Sequence, residues 1–315
     1  MKKITTMISG IVLACSVLAA PLVAASEYPS RPVKFIVPWP PGDLEDVLTR
    51  IIAEEMTKET GKPATVVNKP GGGAVIGTSE VAVARPDGLT IGSFVNDLLT
   101  FKILAGNVPW DHSTFEPVGI FLDYPFVLAT RGDAPYSSMK ELAAYSQSND
   151  VSLGHFGYQA GPTAMTFKAA EVLGVNFSSD APFDATDCSV LANGDADVIN
   201  TTTQLILACL KSGEAKVLTS FTSERISVSP DAPTLNEIAG IPMTTWNGLF
   251  VPAGTPQEIK DKIAAIAKKA LESDRVKEIA NTTGASIYWQ PAAEASKRIA
   301  EEVEQSKDLL KYMNK

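Results

Sequence analysis

From Val33 to Val37 the chain reads as a short apolar strand, which breaks at Pro38-Trp39-Pro40-Pro41-Gly42 and reopens as a helix by Asp46. The helix carries its apolar stripe at Val47, Leu48, Ile51, Ile52 and Met56, and Gly61-Lys62-Pro63 stops it. A second strand, Thr65 to Asn68, follows, then a glycine-rich turn from Pro70 to Gly77 and a helix through Val83. The turn Pro86-Asp87-Gly88 leads into a third strand, Leu89 to Phe94. Strands that alternate with helices predict an α/β fold, with mostly parallel sheets flanked by helices. The junction at residues 38–46 also points unpaired backbone N–H groups and a positive helix end at one spot, an arrangement suited to anions.

The alternation restarts downstream. Phe126–Thr130, Val151–Gly154, Val198–Asn200 and Val217–Thr219 read as strands, with helices at Ser138–Ser146, Thr163–Leu173 and Gln204–Lys211 between them. The segment from Thr245 to Val251 leads back to the first pattern, followed by an amphipathic helix at Pro256–Ser273 and a long charged one at Ala292–Tyr312. Prolines and turn residues collect near Asp123–Pro125 and Ile241–Trp246. The division is therefore lobe 1 at residues 26–124, lobe 2 at 125–245, and a return segment with C-terminal helices at 246–315, part of it rejoining lobe 1. A ligand cleft is expected between the lobes, beyond the carboxyl ends of the strands.

Residues 1–25 have the parts of a cleaved secretory signal: Lys2 and Lys3, an apolar run from Ile8 to Leu22, and small residues before Ser26. Its removal leaves 25 basic against 36 acidic residues, a net charge of −11. Such a chain is a poor partner for nucleic acid or anionic membranes. The expected location is the periplasm, where the two remaining cysteines, Cys188 and Cys209, either pair or stay as buried thiols. The only histidines, His112 and His155, are not in metal-ligand spacing, and Gly71-Gly72-Gly73 lacks the lysine of a phosphate loop. No metal or cofactor is expected. His155 either meets the solute or sits in a loop facing water.

Several segments, in this order, resemble the periplasmic solute-binding receptors of tripartite tricarboxylate transporters, also called the Bug family. They are Tyr28-Pro29-Ser30-Arg31-Pro32-Val33, then Val37 to Gly42 with Asp46 and Arg50, and Val67-Asn68-Lys69-Pro70-Gly71 with Gly77. Further on come Pro86-Asp87-Gly88, Pro233-Thr234-Leu235-Asn236-Glu237, and Trp246-Asn247-Gly248-Leu249-Phe250-Val251-Pro252-Ala253-Gly254-Thr255-Pro256. The resemblance implies a two-lobed periplasmic-binding-protein fold (type II-like) that closes on a small carboxylate and delivers it to a membrane permease. It also implies that backbone N–H groups and water hold the carboxylate at two facing junctions, Pro40 to Asp46 and Phe156 to Thr163.

The sequence departs from that family where the carboxylate should dock. Glycines followed by Ser or Thr are usual after Gly42, but here stand Asp43, Leu44 and Glu45, so with Asp46 the loop carries three acids. In lobe 2, Pro182-Phe183-Asp184-Ala185 replaces a Pro-Tyr-Lys-Gly turn, so a basic position becomes Asp184. Three roles are open to the loop acids: Asp46 caps the helix while Asp43 and Glu45 face water; the acids meet a cationic part of the solute; or they hold a cation such as Ca²⁺.

The candidate ligand-binding residues are Trp39, Pro40, Gly42, Asp43, Glu45 and Asp46 at the first junction; Ser93, Asn96 and Asp97 after the third strand; and Phe156, Gly157, Gln159, Gly161 and Thr163 at the second junction. Asp184, Thr201 and Trp246 complete the set. Among the aromatic residues Trp39, Phe94, Phe101, Trp246 and Phe250, the two tryptophans are the expected cleft walls. The expected function is that of a monomeric, non-enzymatic receptor for a small carboxylate or amino-acid-like solute. The alternatives are an exported hydrolase or isomerase using Asp43, Glu45 and Asp46, or a ligand-sensing partner of a membrane kinase.

Overall fold

The computed structural model describes residues 28–312 except 107; the secretory signal expected at residues 1–25 lies outside the described residues. Two sheets organise the chain. The first has the order β11-β4-β10-β3-β1-β2, built from β1 (Val33–Val37), β2 (Ala64–Asn68), β3 (Thr90–Val95), β4 (Phe115–Asp123), β10 (Trp246–Pro252) and β11 (Ser286–Pro291). The second has the order β7-β6-β8-β5-β9, built from β5 (Phe126–Arg131), β6 (Ser152–His155), β7 (Ser179–Pro182), β8 (Val198–Thr202) and β9 (Ala215–Ser220). Most strands of each sheet point one way, but β5 runs against the rest of its sheet, and β10 and β11 run against the rest of theirs. Both β5 and β10 are the first strand after a crossing. A chain that leaves one sheet at the cleft enters the other from the cleft, and so runs away from it while its neighbours run towards it.

The first helix, α1 (Leu44–Thr60), begins two residues earlier than the sequence suggests. Its N-cap is Asp43, whose carboxylate accepts the Leu44 N–H at 2.8 Å, and not Asp46. Leu48, Ile51, Ile52 and Met56 are buried, and Gly61 ends the helix in the left-handed region at φ 66°. In lobe 2, α5 (Gly161–Leu173) starts with Pro162 in its first turn and ends at Gly174, φ 74°. Gly71, Gly72 and Gly73 do adopt positive φ, and Ala74 joins them at 73°.

Three strands escape the sequence reading. β4 hides in an apolar stretch interrupted by Asp123 and Pro125, while β7 and β11 are short edge strands with no clean alternation. The helix expected at Pro256–Ser273 is α9 (Gln257–Leu271), followed by a separate α10 (Asp274–Thr283). The terminal helix α11 (Ala292–Ser306) gives way to a 3₁₀ turn at Lys307–Tyr312. α11 packs on β4 while that turn packs on α5, so the C-terminus touches both lobes.

Apolar clusters cover both faces of each sheet. One cluster behind the first sheet stacks Phe94 on Phe250, centroids 5.7 Å apart, and buries Trp246 fully. In lobe 2, Cys188 of α6 (Cys188–Ala192) is bonded to Cys209 of α7 (Leu207–Ser212), with Cα atoms 6.0 Å apart. The pair closes a loop of 21 residues' separation. Replacing both cysteines by serine is expected to lower stability by about 3 kcal/mol in the chain-entropy account. Urea unfolding of the oxidised protein and the double variant checks this; unchanged midpoints would mean that the cross-link constrains nothing.

Candidate functional site

The carboxyl ends of β1, β3, β6 and β8 converge between the two sheets, and a cavity of about 70 Å³ lies there. By the volume one water centre needs, that is room for on the order of five water-sized groups. Residues on either side of Gly42 (Pro40, Pro41, Asp43) and of Gly161 (Ala160, Pro162) share this cavity, so the two strand-loop-helix junctions do face each other. Asp43 also ties the lobes together, because its Oδ1 accepts the Thr202 hydroxyl at 2.8 Å.

Of the residues expected here, Trp39, Pro40, Asp43, Glu45, Asp97, Phe156 and Asp184 line the cavity. Gly157 and Gln159 line an adjoining recess together with Lys102, whose ammonium lies 3.5 Å from Gln159 Oε1. The remaining residues face elsewhere. Asp46 is buried and consumed by its neighbours: it accepts from Gly42 N–H (3.1 Å), from Arg50 (2.9 and 3.1 Å) and from Asn68 (2.9 Å). Ser93 is enclosed between Thr49 and Asn247, each at 2.8 Å. Asn96 donates to Glu302 and to the Thr244 carbonyl, and the Thr201 hydroxyl donates to the Thr186 carbonyl. Thr163 is buried inside α5. Trp246 lies in the apolar cluster behind the first sheet, with Nε1 donating to Glu302 at 2.7 Å; Phe94, Phe101 and Phe250 are buried core as well. Of the aromatics proposed as cleft walls, only Trp39 reaches it.

His155 is fully buried and does not face water. Its Nδ1 accepts the Gly157 N–H at 3.0 Å, so Nε2 carries the proton towards Asp180 Oδ1, 3.1 Å away. Burial holds its pKa below the usual value, and Asp180 only partly offsets this.

Sequence reasoning missed Val95, Tyr124, Phe126, Ala185, Leu205 and Thr245, which also line the cavity. Tyr124 and Phe126 flank the crossing at Pro125, and aromatic residues at a crossing were the available signal. Tyr124, Phe126 and Phe156 contact in a row, with centroids 5.3 and 5.7 Å apart. The polar part of the wall is acidic. The Tyr124 hydroxyl donates to Glu45 Oε2 at 2.5 Å, and Glu45 is only 3% exposed. Burial and the nearby Asp43 charge raise Glu45 to about 8, against the pull of the Tyr124 hydroxyl. Burial also raises Asp43 to about 6, although the Leu44 N–H and Thr202 hydroxyl favour its charge. Asp97 is likewise raised by burial, partly offset by Lys102 and by the Gly161 and Leu98 N–H groups, and its Oδ1 has no hydrogen-bond partner among the described residues. Glu45 therefore does not point to water, and Asp43 is half-buried, held by the Leu44 N–H and the Thr202 hydroxyl. Among the described residues no group of three or more His, Cys, Asp or Glu is placed to hold a metal ion.

Comparison with known proteins places this geometry. Protein BugT of Bordetella pertussis is 29% identical over 309 residues, covering 94% of this chain and 93% of BugT. The structure of periplasmic binding protein BugD superposes with a TM-score of 0.81 at 30% identity, covering 91% of this chain and 98% of that one. MatC from Rhodopseudomonas palustris, solved with bound malate, superposes with a TM-score of 0.80 at 28% identity, covering 90% and 100%. The family described as "Tripartite tricarboxylate transporter family receptor" matches over residues 48–315, and this chain belongs to it.

Proposed function

We propose that this protein is an extracytoplasmic receptor that takes a small solute into the cavity between its lobes, closes on it, and hands it to a tripartite tricarboxylate-type membrane permease. The observation that carries the reading is a cavity shared by both strand-loop-helix junctions and lined by the crossing residues Tyr124 and Phe126. Contacts made only when both lobes touch the solute would favour the closed form, with the crossings as hinges. The lobes are residues 26–124 with the return segment, and 125–245. The cavity size fits a solute of few heavy atoms, and the apolar wall fits a short hydrocarbon body. The MatC relative was solved with malate; a carboxylate on this protein's solute would be reached through water, or at Lys102 in the adjoining recess.

Titration calorimetry of the purified protein against organic acids, amino acids and amines tests the reading. At least one compound is expected to bind with micromolar or tighter affinity and to compact the protein in small-angle scattering. Silence across the panel, with no small molecule retained in native mass spectra, would sink it.

A further inference from the structure

We infer that the solute carries a compact organic cation, a protonated amine or quaternary ammonium, seated between the aromatic row and the acids of the cavity, and that a carboxylate on the solute is dispensable. The inference rests on the receptor reading above and sharpens its chemistry.

Several of the amides that would grip an anion are already engaged. Pro40, Pro41 and Pro162 have no N–H to offer. The Gly42 N–H is donated to Asp46 and the Leu44 N–H to Asp43. In lobe 2 the Gly157 N–H goes to His155 and the Ala160 N–H to the Gly157 carbonyl, while the Gly161 N–H faces Asp97. Each helix tip is thus neutralised by a carboxylate of the protein itself, Asp43 on α1 and Asp97 beside α5. An incoming anion would meet four acids, with the Trp39 indole N–H, unpartnered among the described residues, as a donor side chain on the wall.

A cation meets the opposite. Asp43, Glu45, Asp97 and Asp184 are on the wall, and no lysine or arginine is. Asp97 is on the wall and 2% exposed, and its Oδ1 has no hydrogen-bond partner among the described residues. The nearest ammonium, Lys102, lies in the adjoining recess and partly balances Asp97 alone. Trp39, Tyr124, Phe126 and Phe156 supply ring surfaces of the kind that attract ammonium groups out of water. With no metal-holding cluster among the described residues, an organic ion is the cation that this wall suits.

Tetramethylammonium is a clean probe, because its charge does not change with pH and its size matches the cavity; choline and γ-aminobutyrate extend it. Calorimetry should give binding of tetramethylammonium that strengthens at least about tenfold from pH 5.5 to 8.5, as Asp43 and Glu45 shed protons while Arg50 keeps Asp46 paired. Asp43→Asn, which still caps α1 and still faces Thr202, should weaken it about tenfold or more, and so should Asp97→Asn. Malate and adipate should give no heat. No binding by any ammonium probe overturns the inference; if malate or another compound of the wider panel binds, the receptor reading survives alone, and if the whole panel is silent, both fall. Ammonium binding indifferent to pH and to both substitutions also overturns it, since the acids would then not be the site.

Discussion

Glu45→Gln should make the unliganded protein more stable than the wild type at pH 8, by about 4 kcal/mol, and leave it unchanged near pH 4. The sign follows from proton linkage. Glu45 is raised from the ordinary carboxylate value to about 8, so between those limits the folded state holds a proton that the unfolded state has lost. Stability therefore falls as pH rises from about 4.5 towards 8, by about 1.4 kcal/mol for each pH unit over which the two states differ. Glutamine keeps the acceptor for the Tyr124 hydroxyl and never carries the buried charge. Asp43, raised to about 6, adds a loss of the same sign between about pH 4 and 6 that the variant retains. Thermal unfolding at both pH values reads the difference, about 8–16 °C at pH 8 by the scaling for large domains. A variant that unfolds earlier than the wild type at pH 8 would show that the ionised carboxylate is well solvated or paired, and the prediction would fail. An acid kept where an amide is more stable suggests a position held for binding rather than for folding.

The second large effect is at the crossings. Arg298 on α11 donates to Glu302 at 2.9 Å, to the Tyr288 hydroxyl at 2.7 Å, to Asp123 at 2.9 Å and to the Thr244 hydroxyl at 3.1 Å. Its guanidinium also lies 5.3 Å from the centre of the Trp246 ring. Asp123 ends β4 and Thr244 precedes β10, so one side chain clasps both crossings. Its pKa is raised: burial opposes the charge, but Asp123, Tyr288 and Glu302 outweigh it. Arg298→Ala should cost about 4 kcal/mol, because it strands Asp123 and Glu302 in a part-buried network. Arg298→Lys should recover only part of this, since a point charge cannot span four partners. Urea unfolding gives the cost, and small-angle scattering should show a wider spread of lobe angles in the alanine variant. A loss below about 1 kcal/mol would mean that the network behaves as an ordinary surface ion pair.

Neither Arg298 nor Glu302 could be picked out from the sequence. They sit among charged neighbours on a helix whose pattern reads as a solvated face, and their partners Asn96, Asp123, Thr244 and Trp246 lie 54 to 206 positions away. Trp246 misled for a related reason. A tryptophan at a crossing is near the cleft along the chain, but the alternation of β10 sends its ring to the far face of the sheet. Ser93 fails likewise, since its hydroxyl turns into lobe 1 towards Thr49 and Asn247. Asp43 was legible as a junction acid but not as the cap, because Asp43 and Asp46 are both good N-cap residues and only the backbone turn selects between them.

The alternation of short apolar strands, turns and amphipathic helices was enough to determine two α/β layers and the strand-loop-helix junctions between them, because periodicity and turn chemistry are local. The ordered motifs were enough to determine the family. Which atoms line the cavity, which amides remain free, and the charge a solute meets there were decided by the tertiary structure. Those depend on the direction each side chain takes once distant strands are paired, and on which buried acid finds a partner first. The same loop of three acids holds one carboxylate spent on Arg50 and Asn68, one that caps a helix and bridges the lobes, and one buried against Tyr124; only packing separates the three.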